Sequence, residues 1–226
     1  MPAEATMPLA RPGRGAAYLD WLQMLTGAFL ILFMWAHMLL VSSVLITQST
    51  MNAIAGFFEN TGLAQLGGPV IGILFFLHFV LAARKIPFRA EQQKIMLGHA
   101  RMLHHTDTWL WVVQAVSAMI ILVLGSIHVW TVLTDVYTGV PGSELGISAL
   151  HSAQRVQRWP WTLLYFVLMP LVELHVSIGF YRIGVKWGVI KRANRKKAHR
   201  IEYIVAGAFL VIGFATLIRF LLIDVN

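Results

Sequence analysis

Four histidines lie singly in four separate apolar stretches of the chain: His37, His78, His128 and His175. A carboxylate, Glu173, shares the apolar run of His175. An ionisable side chain at the depth of the hydrocarbon core costs roughly 2.5–3.5 kcal/mol, so it rarely lies there without a partner or a task. Four such histidines, one in each of four runs, therefore need a common explanation.

The composition indicates a membrane protein. Of the 226 residues, 58% are hydrophobic and only 12% are charged, whereas a soluble domain carries about a quarter charged residues. The net charge of +8 could suggest nucleic acid, but in a membrane protein the positions of the basic residues matter more than their sum. Cysteine is absent, which excludes cysteine-ligated iron–sulfur clusters and thioether-linked haem. A redox centre held by this chain alone must use histidine, methionine or carboxylate.

Five apolar runs are long enough to cross a bilayer, which takes about 20 residues in a helix. They cover residues 21–47, 66–84, 107–135, 161–182 and 201–223. The first run is too long for the apolar core of a signal peptide, so we interpret it as a retained span. The length of the five runs suits helices and so favours a helix bundle over a β-barrel. The predicted fold class is an all-α membrane protein with five transmembrane helices, and residues 1–226 are predicted to form one membrane domain.

The basic residues predict the orientation. Of the 18 lysines and arginines, 15 lie in the N-terminal arm, in residues 84–101 or in residues 182–200. These segments share one side of a five-span chain, and the positive-inside rule assigns that side to the cytoplasm. We therefore expect a cytoplasmic N-terminus and an outer C-terminus. The cluster at residues 191–200 is predicted to enforce this topology, with binding of anionic lipid and docking of a cytoplasmic partner as alternatives.

Helical rise sorts the histidines into two level pairs. Measured from the cytoplasmic ends of their runs, His37 and His128 lie about 24 and 28 Å up, and His78 and His175 about 9 and 10 Å up. Two imidazoles at one level can supply both axial ligands of a haem iron, so the pattern predicts two stacked haems. The alternative is that each histidine hydrogen-bonds to a neighbouring helix or lines a polar cavity. The remaining histidines are predicted to be solvated or at a lipid surface: His99, His104, His105, His151 and His199.

The chain also resembles a known family, the di-haem cytochrome b subunits of quinol:fumarate reductases and menaquinone-linked succinate dehydrogenases with one five-helix anchor. The matching segments include DWLQMLTGAFLILFMWAHM, LHFVLAARKIPF, HTDTWLWVVQ, LGSIHVW and VELHVSIGFYRIGVKWG. The resemblance implies that His37 and His128 ligate a distal haem and that His78 and His175 ligate a proximal one. This is the pairing that helical depth predicts independently.

The resemblance assigns roles to two carboxylates. Glu59, in the first outer loop, matches a glutamate needed for menaquinol oxidation, and the alternative is a loop residue that only solvates or caps a helix. Glu173 matches a glutamate that carries protons inward while electrons cross the membrane. It lies about 200° around the helix from His175 and should point away from that iron. The alternative to this proton-carrying role is a protonated carboxyl group that is hydrogen-bonded to a neighbouring helix.

Haem propionates need cationic or hydrogen-bonding partners. The resemblance implies that Gln23, Trp111 and Lys186 serve the proximal haem and that Arg155 serves the distal one. Lys186 and Arg155 could equally be ordinary anchors at the membrane interface.

The function implied is that of a membrane anchor which oxidises menaquinol near the outer face and passes electrons to an iron–sulfur subunit and a flavoprotein in the cytoplasm. The dicarboxylate site, the FAD and the iron–sulfur clusters would belong to those partners, and the complex would be a dimer of heterotrimers in the bacterial inner membrane. Alternatives are a succinate:menaquinone reductase running in reverse, the cytochrome b anchor of another respiratory complex, and a haem-free proton-linked transporter.

Overall fold

The computed structural model describes residues 13–87, 89–103, 106–139 and 146–225. These residues form eight α-helices, two short 3-10 turns and no strand. The helices are α1 (Arg14–Ser42), α2 (Gln48–Asn60), α3 (Leu63–Ala83), α4 (Ala90–Leu103), α5 (Thr106–Thr138), α6 (Ala149–Val156), α7 (Trp159–Lys186) and α8 (Arg195–Leu221). Of these, α1, α3, α5, α7 and α8 are long and apolar enough to cross a membrane. The prediction of an all-α protein with five spans is confirmed.

Each long helix begins before the apolar run that predicts it. α1 begins at Arg14 rather than at residue 21, and α8 begins at Arg195 rather than at residue 201. Hydropathy marks the edge of the hydrocarbon layer, whereas helical hydrogen bonding continues until a local signal ends it. α7 ends just before Gly188, which has φ of 76°, a left-handed conformation that costs glycine little.

Three short helices lie in segments that hydropathy leaves as loops. α2 and α6 each begin with a side-chain cap: the hydroxyl oxygen of Thr47 accepts from the Thr50 amide at 3.0 Å, and that of Ser148 from the His151 amide at 3.2 Å. Such caps satisfy backbone amides that have no partner within the helix. These helices are too short to produce a transmembrane signal, so the apolar pattern does not predict them.

Four of the spans form a closed ring. α1 packs against α3, α3 against α5, α5 against α7, and α7 against α1, while α8 lies outside this ring against α7 and α1. Each ring helix carries one of the four histidines singled out by the sequence. We call the end where α1, α5 and α8 begin the basic end, and the end that carries α2 and α6 the opposite end.

Tight apolar packing closes the opposite end. The end of α1, the short helices α2 and α6 and the end of α8 contribute a buried cluster whose members are Val44, Met51, Ala149, Ala153, Val156, Phe220 and Ile223. Elsewhere only 11% to 28% of each span's apolar window is buried, as for helices that turn most of their surface towards lipid. The opposite end is therefore fixed by side-chain packing, and the ring is left to position the histidines.

Candidate cofactor-binding and proton-transfer sites

His37 of α1 and His128 of α5 face each other across a diagonal of the ring. Their ring centres are 6.0 Å apart, and the His37 ring also stacks on Phe33. An imidazole nitrogen binds a transition metal at about 2 Å and lies about 1 Å from the centre of its own ring. Two imidazoles that bind one metal from opposite sides therefore have ring centres about 6 Å apart. The spacing therefore fits a shared metal.

His78 of α3 is held by the wall of α1. Its Nδ1 lies 3.1 Å from the Gln23 carbonyl oxygen and 3.1 Å from Thr26 Oγ1. A carbonyl only accepts, so Nδ1 carries the proton and Nε2 keeps the lone pair that a metal needs. A Cβ at Gly27 would meet His78 Cε1 at 2.9 Å, so the glycine allows the imidazole to lie against α1.

His175 of α7 is held in the same way by α5. Its Nδ1 lies 3.2 Å from the Gln114 carbonyl oxygen and 3.1 Å from Ser117 Oγ, which again leaves Nε2 free. The two histidines thus use matching pairs on α1 and α5, a Gln followed three residues later by Thr or Ser. His78 and His175 are also close enough for their charges to interact. They lie on the other diagonal of the ring, towards the basic end.

The donor set suits a haem better than a bare metal ion. Within the described part of the chain, no three His, Cys, Asp or Glu side chains cluster as metal ligands. A haem iron needs only two ligands from the protein, because the porphyrin supplies the other four, and bis-histidine pairs across a bundle meet that need.

His128 connects to the predicted propionate partner Arg155 through a residue that the sequence did not indicate. Tyr165 of α7 lies with its hydroxyl 3.2 Å from His128 Nδ1, and Arg155 faces the same tyrosine. The guanidinium of Arg155 also donates to the carboxylate of Asp135 in an ion pair that is largely buried. Tyr165 gave no signal in the sequence because an aromatic residue is common in any apolar helix.

Three predicted propionate partners lie near the basic end, each in a different helix. The buried Oε1 of Gln23 has no hydrogen-bond partner among the described residues, and Trp111 lies half-buried on α5. Lys186 shares the carboxylate of Asp20 with two more cations. The distances from Asp20 are 3.2 Å to Arg84, 2.9 Å to Lys85 and 3.5 Å to Lys186. One carboxylate among three cations leaves a surplus of positive charge that suits an anionic group.

Glu59, at the end of α2, holds the segment that leads into α6. Its Oε2 accepts a hydrogen bond from the Gly146 amide at 3.0 Å and its Oε1 one from the Ile147 amide at 2.6 Å. Asn52, two turns earlier on α2, accepts from the Ala149 amide at 2.8 Å through Oδ1. Glu59 therefore anchors the two residues that precede the N-cap of α6, and each of its oxygens keeps a further lone pair.

Glu173 is 7% exposed, and no residue in the described ranges donates a hydrogen bond to it. It lies four and eight residues before Ser177 and Tyr181 on one face of α7. Tyr181 stacks on His199 of α8, so this face looks outward from the ring towards α8. Glu173 and His175 therefore lie on different sides of the same helix, as their spacing predicts.

The prediction for His199 is wrong. Its side chain is 19% exposed, its Nδ1 lies 3.0 Å from Glu202 Oε2, and its ring centre is 3.9 Å from that of Tyr181. α8 begins earlier than the apolar run, so His199 lies within the helix and packs against α7. Glu202, an ionisable residue inside the fifth apolar run, was the signal that could have pointed to this cluster.

Of the other four histidines, one agrees with its prediction, one agrees in part, and two cannot be compared with it. His99 is exposed on α4, whereas His151 is half-buried and directs its Nδ1 to Ser148 Oγ at 3.0 Å. His104 and His105 lie outside the described residues.

Replacing Glu59 with Gln should loosen the segment that it holds. A hydrogen bond to a charged group contributes about 1.5–3 kcal/mol, so hydrogen exchange at Gly146 and Ile147 should become about 10- to 100-fold faster. Mass-spectrometric hydrogen exchange measures this. Glu91→Gln, at an exposed position on α4, should leave the exchange unchanged, and an unchanged rate in Glu59→Gln would contradict this anchoring role.

Comparison with known proteins agrees with this architecture. The sequence profile of the succinate dehydrogenase/fumarate reductase transmembrane subunits matches residues 90–216. The fumarate reductase cytochrome b subunits of two Helicobacter pylori strains are 38% identical over 208 residues, which cover 88% of this chain and 78% of theirs. That of Wolinella succinogenes is 34% identical over 224 residues, covering 92% and 83%. The resemblance is confirmed, and the chain belongs to the family of succinate dehydrogenase and fumarate reductase transmembrane subunits.

Proposed function

We propose that this chain is the membrane anchor and di-haem cytochrome b subunit of a quinol:fumarate reductase. The observation that carries the proposal is the diagonal pairing of four histidines, one from each helix of the ring. His37 and His128 have the spacing of two ligands to one metal, and His78 and His175 both present a free Nε2. The relatives described as fumarate reductase cytochrome b subunits support the choice of complex.

The residues around each pair would hold a b-type haem. His37 and His128 would ligate the distal haem, and His78 and His175 the proximal one. Arg155 would bind propionates of the distal haem, and Gln23, Trp111 and Lys186 those of the proximal one. When bound, such haems supply one-electron redox chemistry. The chain itself fixes the tautomer and orientation of His78 and His175 through the carbonyl and hydroxyl groups at Nδ1.

The distribution of basic residues supports a cytoplasmic basic end, with the N-terminus inside and the C-terminus outside a bacterial inner membrane. Partner subunits would dock on that face. An iron–sulfur subunit and an FAD-containing flavoprotein are required because this chain has no cysteine and no nucleotide-binding motif, so the reduction of fumarate would take place on a partner. Membrane lipid would surround the five spans, and the resemblance further implies a dimer of heterotrimers.

Glu59 would act where menaquinol is oxidised, near the outer surface. Quinol releases two protons as it loses two electrons, and a carboxylate oxygen with a spare lone pair can accept one of them. Glu59 is suited to this because its amide contacts fix both oxygens at the opposite end, on the side of the His37–His128 pair. The same residue also anchors Gly146 and Ile147, so an effect on chemistry must be separated from an effect on this segment by experiment.

Glu173 would carry protons inward. Oxidising quinol outside and delivering electrons inside moves negative charge across the membrane, and an inward proton cancels it. Glu173 lies buried on the face of α7 away from the ring, where a proton route would be separate from the histidines. This carboxylate favours fumarate reduction over the reverse, succinate-oxidising direction.

The haem assignment predicts two haems per polypeptide in the purified protein. His37→Leu should leave one haem, held by the other pair, and His78→Leu should leave the complementary one, because each iron loses an axial ligand. A haemochrome assay and reduced-minus-oxidised spectra measure this. His99→Gln is the control and should keep both haems. A colourless native protein would favour the transporter alternative instead.

Replacing Glu59 with Gln should lower quinol-driven fumarate reduction about 100-fold or more, the scale of a lost general base, while both haems stay bound. Asn52→Ala separates chemistry from capping, because it removes a neighbouring contact to the same segment without removing a carboxylate. If Asn52→Ala loses as much activity as Glu59→Gln, the effect of Glu59 is structural.

Replacing Glu173 with Gln should block quinol-driven fumarate reduction in vesicles yet leave fumarate reduction by an artificial donor intact. The reason is that electron delivery would build up a membrane potential that no proton relieves. Unchanged quinol-driven turnover in this variant would mean that the proton route lies elsewhere.

A further inference from the structure

A second group of ionisable side chains lies at the basic end, outside the ring and away from the histidine pairs. Asp107 of α5 and His199 and Glu202 of α8 form a connected series there. Their side chains are 41%, 19% and 5% exposed, respectively. The series therefore leads from the surface into the protein. Nothing in the haem or quinol chemistry above uses these residues.

His199 lies between two carboxylates. Its Nδ1 is 3.0 Å from Glu202 Oε2, and its Nε2 is 3.9 Å from Asp107 Oδ1. In the first contact the imidazole N–H donates when Glu202 is ionised, and the carboxyl O–H donates when Glu202 is protonated. An imidazole in this position can take up a proton at one nitrogen and release one from the other.

Two tyrosines and two cations surround the series formed by Asp107, His199 and Glu202. Tyr181 of α7 is 4% exposed and stacks on the His199 ring, and its hydroxyl has no partner among the residues described. Tyr203, one turn after His199 on α8, also stacks on the imidazole, with ring centres 6.0 Å apart, and is itself exposed. Two cations offset the charge of Asp107: Arg195, at 3.6 Å, and Arg182, which faces it from α7.

The inner end of the series approaches the face of α7 that bears Glu173. Ser177 of α7 faces the Glu202 carboxylate, and it lies one helical turn from Glu173, about 6 Å along the axis. The contacts of Phe166 with Phe214 and of Tyr181 with His199 set an antiparallel register of α7 and α8. This register places Ala206 and Gly207 opposite Glu173, and a Cβ at Gly207 would meet no atom within 4 Å.

We propose that Glu202 and His199 form the proton exit of this subunit, and that they release inward-moving protons to the cytoplasmic surface beside Asp107. A proton that reaches the level of Ser177 is taken up by Glu202. Glu202 then donates a proton to His199 Nδ1 while the proton on Nε2 leaves towards Asp107, and no electrons are transferred. The inference rests on the proposed function for its direction, but it requires only that a proton reaches Ser177.

The test uses the complete complex in vesicles, with the soluble subunits facing outward. Glu202→Gln and His199→Gln should each lower quinol-driven fumarate reduction at least tenfold. Fumarate reduction by an artificial donor and both haem spectra should stay native. Residual turnover should generate a potential seen with a voltage-sensitive dye, and valinomycin with K⁺ should restore turnover to more than half the native rate, since it relieves the uncompensated charge.

Matched variants separate this from structural damage. Glu91→Gln and His99→Gln make the same changes at exposed positions of α4 and should behave as native, whereas Glu202→Asp should regain activity because it keeps a carboxylate. Loss of turnover that valinomycin does not relieve would overturn the proposed exit. So would native turnover in both Glu202→Gln and His199→Gln.

Glu173→Gln, measured alongside, distinguishes the two proposals. If quinol-driven turnover is blocked in Glu173→Gln but native in Glu202→Gln, the proposed exit is wrong and the proposed function stands. If turnover is native in Glu173→Gln, but is blocked in Glu202→Gln and restored there by valinomycin, the proposed exit stands and the proposed role of Glu173 is wrong.

Discussion

The absence of water in the hydrocarbon core is the constraint on which the structure depends. An imidazole there must have its N–H satisfied by protein, since no solvent can do so. His78 and His175 meet this with a backbone carbonyl and a hydroxyl from a neighbouring helix. The bond that solves the burial problem also orients the ring and leaves one lone pair pointing into the bundle. The need for satisfaction and the readiness to bind a metal thus have a single physical origin.

Helical periodicity separates two kinds of chemistry on α7. His175 faces the interior of the ring, whereas Glu173, Ser177 and Tyr181 lie on the face towards α8. A helix turned by about 200° over two residues therefore places a candidate metal ligand and a buried carboxylate on different sides of one element. In the proposed function this keeps the path of electrons inside the ring and the path of protons between α7 and α8. α8 carries none of the four paired histidines, so the proposed exit gives this helix a purpose beyond spanning the membrane.

The opposite end is organised by another principle. There the chain leaves the apolar layer, and short helices are held by caps and by the polar residues of α2. Glu59 binds two amides of the segment before α6, Asn52 binds the first amide of α6, and a buried apolar cluster lies beneath. In the proposed function, a carboxylate that is also an anchor has its position fixed before any substrate arrives. Because of the same contacts, we expect substitution of Glu59 to loosen this segment as well as to change the chemistry.

The sequence by itself determined the membrane class, the five spans, the four candidate ligands and the pairing of these by level. Each of these follows from local composition or from helical rise, which depend on near neighbours along the chain. Only the tertiary structure decided that the pairs lie on diagonals of a four-helix ring, that Glu59 binds Gly146 and Ile147, and that His199 is packed against Glu202 and Tyr181. Apart from His199 and Glu202, these pairs are 18 to 97 positions apart in the chain, and the loops and packing that bring them together leave no periodic signal. His199 shows the limit most clearly, because apolar patterning located the edge of the membrane but not the residue at which α8 begins.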